Sequence, residues 1–133
     1  MAADDRLEFE QLMALAQLSA QVERACGCGI AACREWTRTA VEFPHGQMET
    51  VGSLRGDPYA EPTHAEYRPA GTNYWSADAP IAPHWFPYNR CTVQQCGRCG
   101  RSCLTYVEAG GYYTEPRMRA LDPGLLVDVP PPD

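Results

Sequence analysis

The sequence predicts an α+β fold, with an N-terminal helix packed on short antiparallel β-hairpins and a long loop rich in proline and aromatic residues. Three observations carry this expectation. A helical apolar period opens the chain, alternating runs bounded by turn residues follow it, and two cysteine clusters sit where these elements end. At 133 residues the chain has the length of one domain, 1–133. A chain of this size buries roughly two-thirds of its unfolded surface, enough for one ordinary core.

The helix is predicted over 4–25. Asp5 followed by Glu8 reads as a start signal, and Phe9, Leu12, Met13, Leu15, Ala16, Ser19 and Val22 then recur on one face. Cys26-Gly27-Cys28-Gly29 ends it, because glycine breaks the period and admits positive φ. A hairpin is predicted over 36–55: Thr37, Thr39, Val41 and Phe43 alternate, Pro44-His45-Gly46-Gln47 turns, and Met48 to Leu54 alternates again. A helix over Ala31 to Ala40 competes for part of that segment, since Cys33, Trp36 and Ala40 also fit a helical period.

Residues 56–90 carry six of the twelve prolines together with Tyr59, Tyr67, Tyr74, Trp75, Trp85, Phe86 and Tyr88. Proline removes backbone donors and fixes φ, so regular structure there must be short, while the aromatic side chains require it to pack onto the core. Over 91–115 the cysteine turn leads to a second hairpin, with Leu104 to Glu108 as one strand, Ala109-Gly110-Gly111 as the turn and Tyr112 to Thr114 as the other. Residues 116–133 read as a C-terminal tail with a short helical or extended piece, Arg117 to Leu121.

Composition removes several functions. The net charge of −6 argues against binding a phosphate backbone, which needs a basic footprint. All eleven basic residues are arginine, so Schiff-base chemistry and a Walker A loop are excluded. The absence of lysine, with two Asn and two Ile, points to a GC-rich bacterial genome. No run approaches the roughly 20 apolar residues of a membrane span, and the opening Met1-Ala2-Ala3-Asp4-Asp5 is acidic where a signal peptide is basic, so a cytoplasmic protein is expected.

Seven cysteines in a reducing compartment read as metal ligands or buried thiols rather than disulfides. Cys96-Gly97-Arg98-Cys99-Gly100 has the form of a zinc knuckle, a tight turn that puts two thiolates on one side of a tetrahedral ion. Zn2+ is therefore the expected cofactor. Two ligand sets are open. In one, Cys96 and Cys99 join Cys26 and Cys28 in a zinc-ribbon-like site, with Cys33 as an alternate; in the other, Cys91 and Cys103 complete a local site with the knuckle. The first is favoured because Cys-Gly-Cys-Gly is hard to explain by packing. A redox reading of the C-x-x-C pair lacks the helix N-terminus that lowers such a thiol's pKa.

His64-Ala65-Glu66 upstream of Cys96-Gly97-Arg98-Cys99 resembles the H-x-E and C-x-x-C signature of the zinc-dependent nucleoside and nucleobase deaminases. The resemblance implies His64, Cys96 and Cys99 as zinc ligands and Glu66 as the proton shuttle to a zinc-bound water. Pro69 and Gly71 follow Glu66, and Gln95 stands where that family has proline.

The leading expectation is a zinc-binding, non-catalytic protein-interaction module of adaptor or immunity type. Its contact surface would lie on Tyr74 to Tyr88 with Tyr106, Tyr112 and Tyr113, anchored by Trp75, Trp85, Phe86 and Tyr88. The acidic balance points to a protein partner with a basic face. A deaminase-like hydrolase is the alternative.

Overall fold

The computed structural model describes residues 6–56, 59, 61–69, 72–73, 75–109, 112 and 114–132. Among the described residues one helix, α1 (Phe9–Ala20), accompanies five strands: β1 (Thr37–Arg38), β2 (Met48–Ser53), β3 (Thr92–Cys96), β4 (Ser102–Ala109) and β5 (Thr114–Ala120). They form an antiparallel sheet in the order β1-β5-β4-β3-β2, which is an α+β architecture.

Helix α1 is shorter than the predicted 4–25. Asp4 and Asp5 lie outside the described residues. The cap is a box one turn later, in which the Gln11 side chain accepts from the Glu8 amide at 2.8 Å and the Glu8 side chain accepts from the Gln11 amide. Arg6 and Leu7 are extended instead, bridging Ser53 with the Leu7 amide donating to its carbonyl at 2.9 Å. Burial of Leu7 in the core explains the later start: a strand-like approach satisfies its backbone while its side chain packs. Leu12, Ala16 and Ser19 are buried, as the period requires.

The predicted 36–55 hairpin does not form. Its two halves lie at opposite edges of the sheet, Thr37–Arg38 against β5 and Met48–Ser53 against β3. The alternation that suggested a strand is not a buried face, since Thr37 is exposed and Val41 is 98 % exposed. Of Thr37, Thr39, Val41 and Phe43 only Phe43 is buried, packing with Met118 and the thiols, before a 3-10 turn at His45–Gln47 leads into β2. The competing helix is likewise reduced to one 3-10 turn, Ile30–Ala32.

The 56–90 stretch, where described, has only an isolated Ile81 bridge to Leu126 and a 3-10 turn at Tyr88–Arg90. Its aromatics do pack: Tyr67 lies against Trp85 with ring centroids 5.4 Å apart, and Phe86 meets Tyr106 edge-on at 6.4 Å. Strands β3 and β4 form a hairpin across the cysteine turn, and β4 pairs with β5 from Cys103↔Ala120 to Ala109↔Thr114. Strand β5 thus runs deep into the segment read as tail, because Met118 and Arg119 both have buried places to fill. Gly110, Gly111 and Tyr113 of the predicted second turn lie outside the described residues.

Neighbouring side chains in a strand point to opposite faces, and the two faces here bury different chemistry. Leu104 and Val93 join Leu7, Leu12, Ala16, Trp36, Ile81, Tyr88 and Leu126 in the main apolar core under α1. Cys103, Met118 and Cys96 face the other way, into a second cluster with Cys28, Ile30, Phe43 and Cys99. Arg119 is wholly buried on the first face. Its guanidinium donates to the carbonyls of Arg34 (3.2 Å), Ala77 (3.2 Å) and Ala79 (2.9 Å) and to the Tyr88 hydroxyl, pinning three separate stretches to β5.

Candidate metal centre

Strand β3 ends at Cys96, held in register by Met48 on β2. The chain then reverses tightly: the Gly100 amide donates to the Cys96 carbonyl at 2.9 Å and the Cys96 amide to the Arg101 carbonyl at 2.8 Å. Gly100 has φ of +88°, a conformation that side chains disfavour, which is why the turn needs glycine there. The opposing loop is built alike. Gly29, with φ of +73°, turns the chain directly after Cys28 and leads it into the 3-10 turn.

The two loops meet. The Arg101 guanidinium donates to the Val22 carbonyl at 3.3 Å, and the Ser102 amide donates to the Ser19 hydroxyl at 3.0 Å, so the end of α1 is moored to the knuckle. Cys26, Cys28, Cys96 and Cys99 then place all four sulfurs within 4.8 Å of one another, a group able to hold a metal ion. Cys26 Sγ lies 3.9 Å from Cys96 Sγ and Cys28 Sγ lies 3.8 Å from Cys99 Sγ. A tetrahedral ion with metal–sulfur bonds of about 2.3 Å sets its sulfurs about 3.8 Å apart, so these separations match the edges of such a tetrahedron. A disulfide needs about 2.05 Å.

Electrostatics divide the four. Burial pushes the Cys96 thiol up, but the amides of Cys99 and Arg98, the Gln47 carboxamide and the Cys99 thiol outweigh it and bring the group down to about 6. Burial pushes Cys28 up to about 12, reinforced by the thiols of Cys99 and Cys26 and opposed by the Ile30 amide. Four thiolates this close repel strongly, and a bound cation is what lets them all ionise. Gln47 Nε2 donates to Cys96 Sγ at 3.3 Å and to Cys26 Sγ at 3.7 Å, bridging the two loops from outside the ligand set. In the sequence Gln47 reads only as a turn residue, with no signal of this role.

The structure thus brings together the favoured set of four and leaves the alternates outside it. Cys91 is buried in the main core and donates to the Pro87 carbonyl at 3.4 Å; burial pushes its thiol far up. Cys103 packs beside the group with its thiol pushed up to about 12 by burial and then by Cys33 and Cys96. Cys33, half-buried, donates to the Gly29 carbonyl at 3.4 Å.

His64 is not brought to the knuckle. Its ring lies between Glu61 Oε1 (3.4 Å) and an Arg90 guanidinium nitrogen (3.1 Å), and Glu66 pairs with Arg68 at 3.6 Å. Cys96 and Cys99 sit in a β-turn rather than at a helix start, and among the described residues the only group of metal-ligating atoms is the four cysteines. Of the aromatic anchors, Trp75 is 54 % exposed, Trp85 and Phe86 are half-buried, and Tyr88 is 3 % exposed. Tyr88 packs on Trp36 and hydrogen-bonds Arg119, so it serves the core rather than a surface. Tyr106 is also buried, Tyr112 is fully exposed, and Tyr74 and Tyr113 lie outside the described residues. Among the described residues no helix is long and apolar enough to cross a membrane.

Compared with known proteins, the chain matches no family model, no curated protein and no solved structure.

Proposed function

We propose that this chain is a zinc-stapled, non-catalytic interaction module of the bacterial cytoplasm. One observation carries the reading: four sulfurs from two segments about 70 residues apart are gathered at tetrahedral spacing. Thiolate-only tetrahedral sets are occupied by zinc or by iron, and a closed set of four leaves no position for a substrate or an activated water. The ion's task is then to join the end of α1 to the knuckle, and its binding free energy is folding free energy.

The interaction role follows from what remains outside. Trp75 and Tyr112 are exposed, large aromatics of the kind favoured as interface anchors, and the chain carries a net charge of −6. A protein partner with a basic face fits that surface, in an adaptor or immunity-type pairing. The deaminase-like alternative needs His64 as a ligand, and the ring's Glu61 and Arg90 partners offer it no support.

Native mass spectrometry of protein purified without added metal, with alkylation mapping before and after chelation, tests the centre. One zinc and four protected cysteines, Cys26, Cys28, Cys96 and Cys99, are expected. Iron with a visible thiolate absorption, or protection of Cys91 and Cys103 instead, defeats the reading. For the surface, Trp75→Ala is expected to weaken binding to a basic partner without changing the melting temperature.

A further inference from the structure

Two sulfur pairs at the centre, Cys26 with Cys96 at 3.9 Å and Cys28 with Cys99 at 3.8 Å, cross from one segment to the other. Closing either pair into a disulfide requires the sulfurs to approach by about 1.8 Å. Thiolates are the species that attack peroxides, giving a sulfenic acid that condenses with a neighbouring thiolate. Cys91 lies in the main core, Cys103 packs beside the group and Cys33 is turned to the Gly29 carbonyl, while the four centre sulfurs all lie within 4.8 Å of one another.

Building on the zinc reading, we propose that the centre is also an oxidation site for peroxides, at which the metal staple is exchanged for two disulfides, Cys26–Cys96 and Cys28–Cys99. The step balances as four thiolates and Zn2+ with two H2O2 giving two disulfides, free Zn2+ and four OH−. Each disulfide takes two electrons from two sulfurs, and each peroxide O–O bond breaks to accept them. The half-buried Cys26 is the open side of an otherwise buried group, and it gives the oxidant its access. The two links span sequence separations of 70 and 71 residues, where a cross-link constrains the unfolded chain strongly. Oxidation therefore keeps the two segments joined after the ion has left. A link inside the knuckle, Cys96 to Cys99, would set them apart.

The test is titration of the zinc-loaded full chain with hydrogen peroxide, reading zinc release with a chromogenic chelator and disulfides by non-reducing peptide mapping. One zinc released for two peroxides, the two cross-segment links, and rebinding of zinc after dithiothreitol are expected. A Cys96–Cys99 link, a link to Cys33, or zinc retained under excess peroxide overturns the proposal. Cys33→Ser is expected to give the same products, and their loss in that variant overturns it as well. If the purified chain holds no zinc, the metal reading fails separately. The same mapping on the reduced, metal-free chain then decides the pairing, with cross-segment links supporting it and any other links overturning it.

Discussion

The two faces of the sheet hold together by different physics. Under α1 the core is Leu12, Leu104, Val93, Ile81 and the aromatics, where removing apolar area from water supplies the free energy and each contact is replaceable by another of similar size. On the opposite face the buried set is mostly sulfur, with Ile30, Phe43 and Met118 around it, and the segment that covers it has little regular structure of its own. Four thiols of that face lie within 4.8 Å of one another, and on the proposed reading burial there depends on an ion that draws them to one point. Arg119 and its partners apart, the first region is robust to chemistry and sensitive to volume. The second is the reverse.

Chelation should separate them most sharply. Removing the metal is expected to cost more than any single substitution, since structural zinc in small domains is worth on the order of 10 kcal/mol. Hydrogen exchange should show Ile30, Phe43 and the knuckle losing protection before Leu12 and Leu104; simultaneous loss at all of them would mean that the two regions are one cooperative unit. Arg119→Met comes next. It strips partners from the carbonyls of Arg34, Ala77 and Ala79 and from Tyr88 in a dry site, at about 3 kcal/mol or more, measured by urea denaturation.

Leu104→Ala tests the apolar side alone. A cost of about 3 kcal/mol with zinc content unchanged is expected, and loss of zinc in that variant would contradict the division. Gln47→Leu tests the other side: competition with a chelator should show metal affinity lowered roughly 10- to 100-fold, with the apolar core's exchange protection intact. The smallest effect is expected at Val41→Ser, within about 0.5 kcal/mol, because that side chain touches almost nothing.

Much of this was legible residue by residue. The apolar spacing of Leu12, Ala16 and Ser19 marked α1 because a helix face repeats within a few positions. Cys-Gly-Arg-Cys-Gly marked the knuckle because its chemistry is local as well: two sulfurs on one turn, with glycine where positive φ is needed. Strand partners were not legible. Thr37 and Met48 lie eleven residues apart in sequence and sit at opposite edges of the sheet, with Phe43 between them buried against Met118 in the cysteine-rich cluster. Pairing of strands is settled by long-range packing, and alternation alone reports no partner.

The sequence by itself determined the α+β class, the helix, the absence of lysine chemistry and the presence of two thiol loops, since each of these rests on composition or on contacts a few residues apart. Only the tertiary structure decided that Cys26 and Cys28 rather than Cys91 and Cys103 meet the knuckle, that Gln47 bridges them, that Tyr88 turns inward to a buried Arg119 and that His64 stays apart. Those depend on which distant segments share a face of the sheet, and that is set by burying apolar surface while pairing most of the polar groups buried with it.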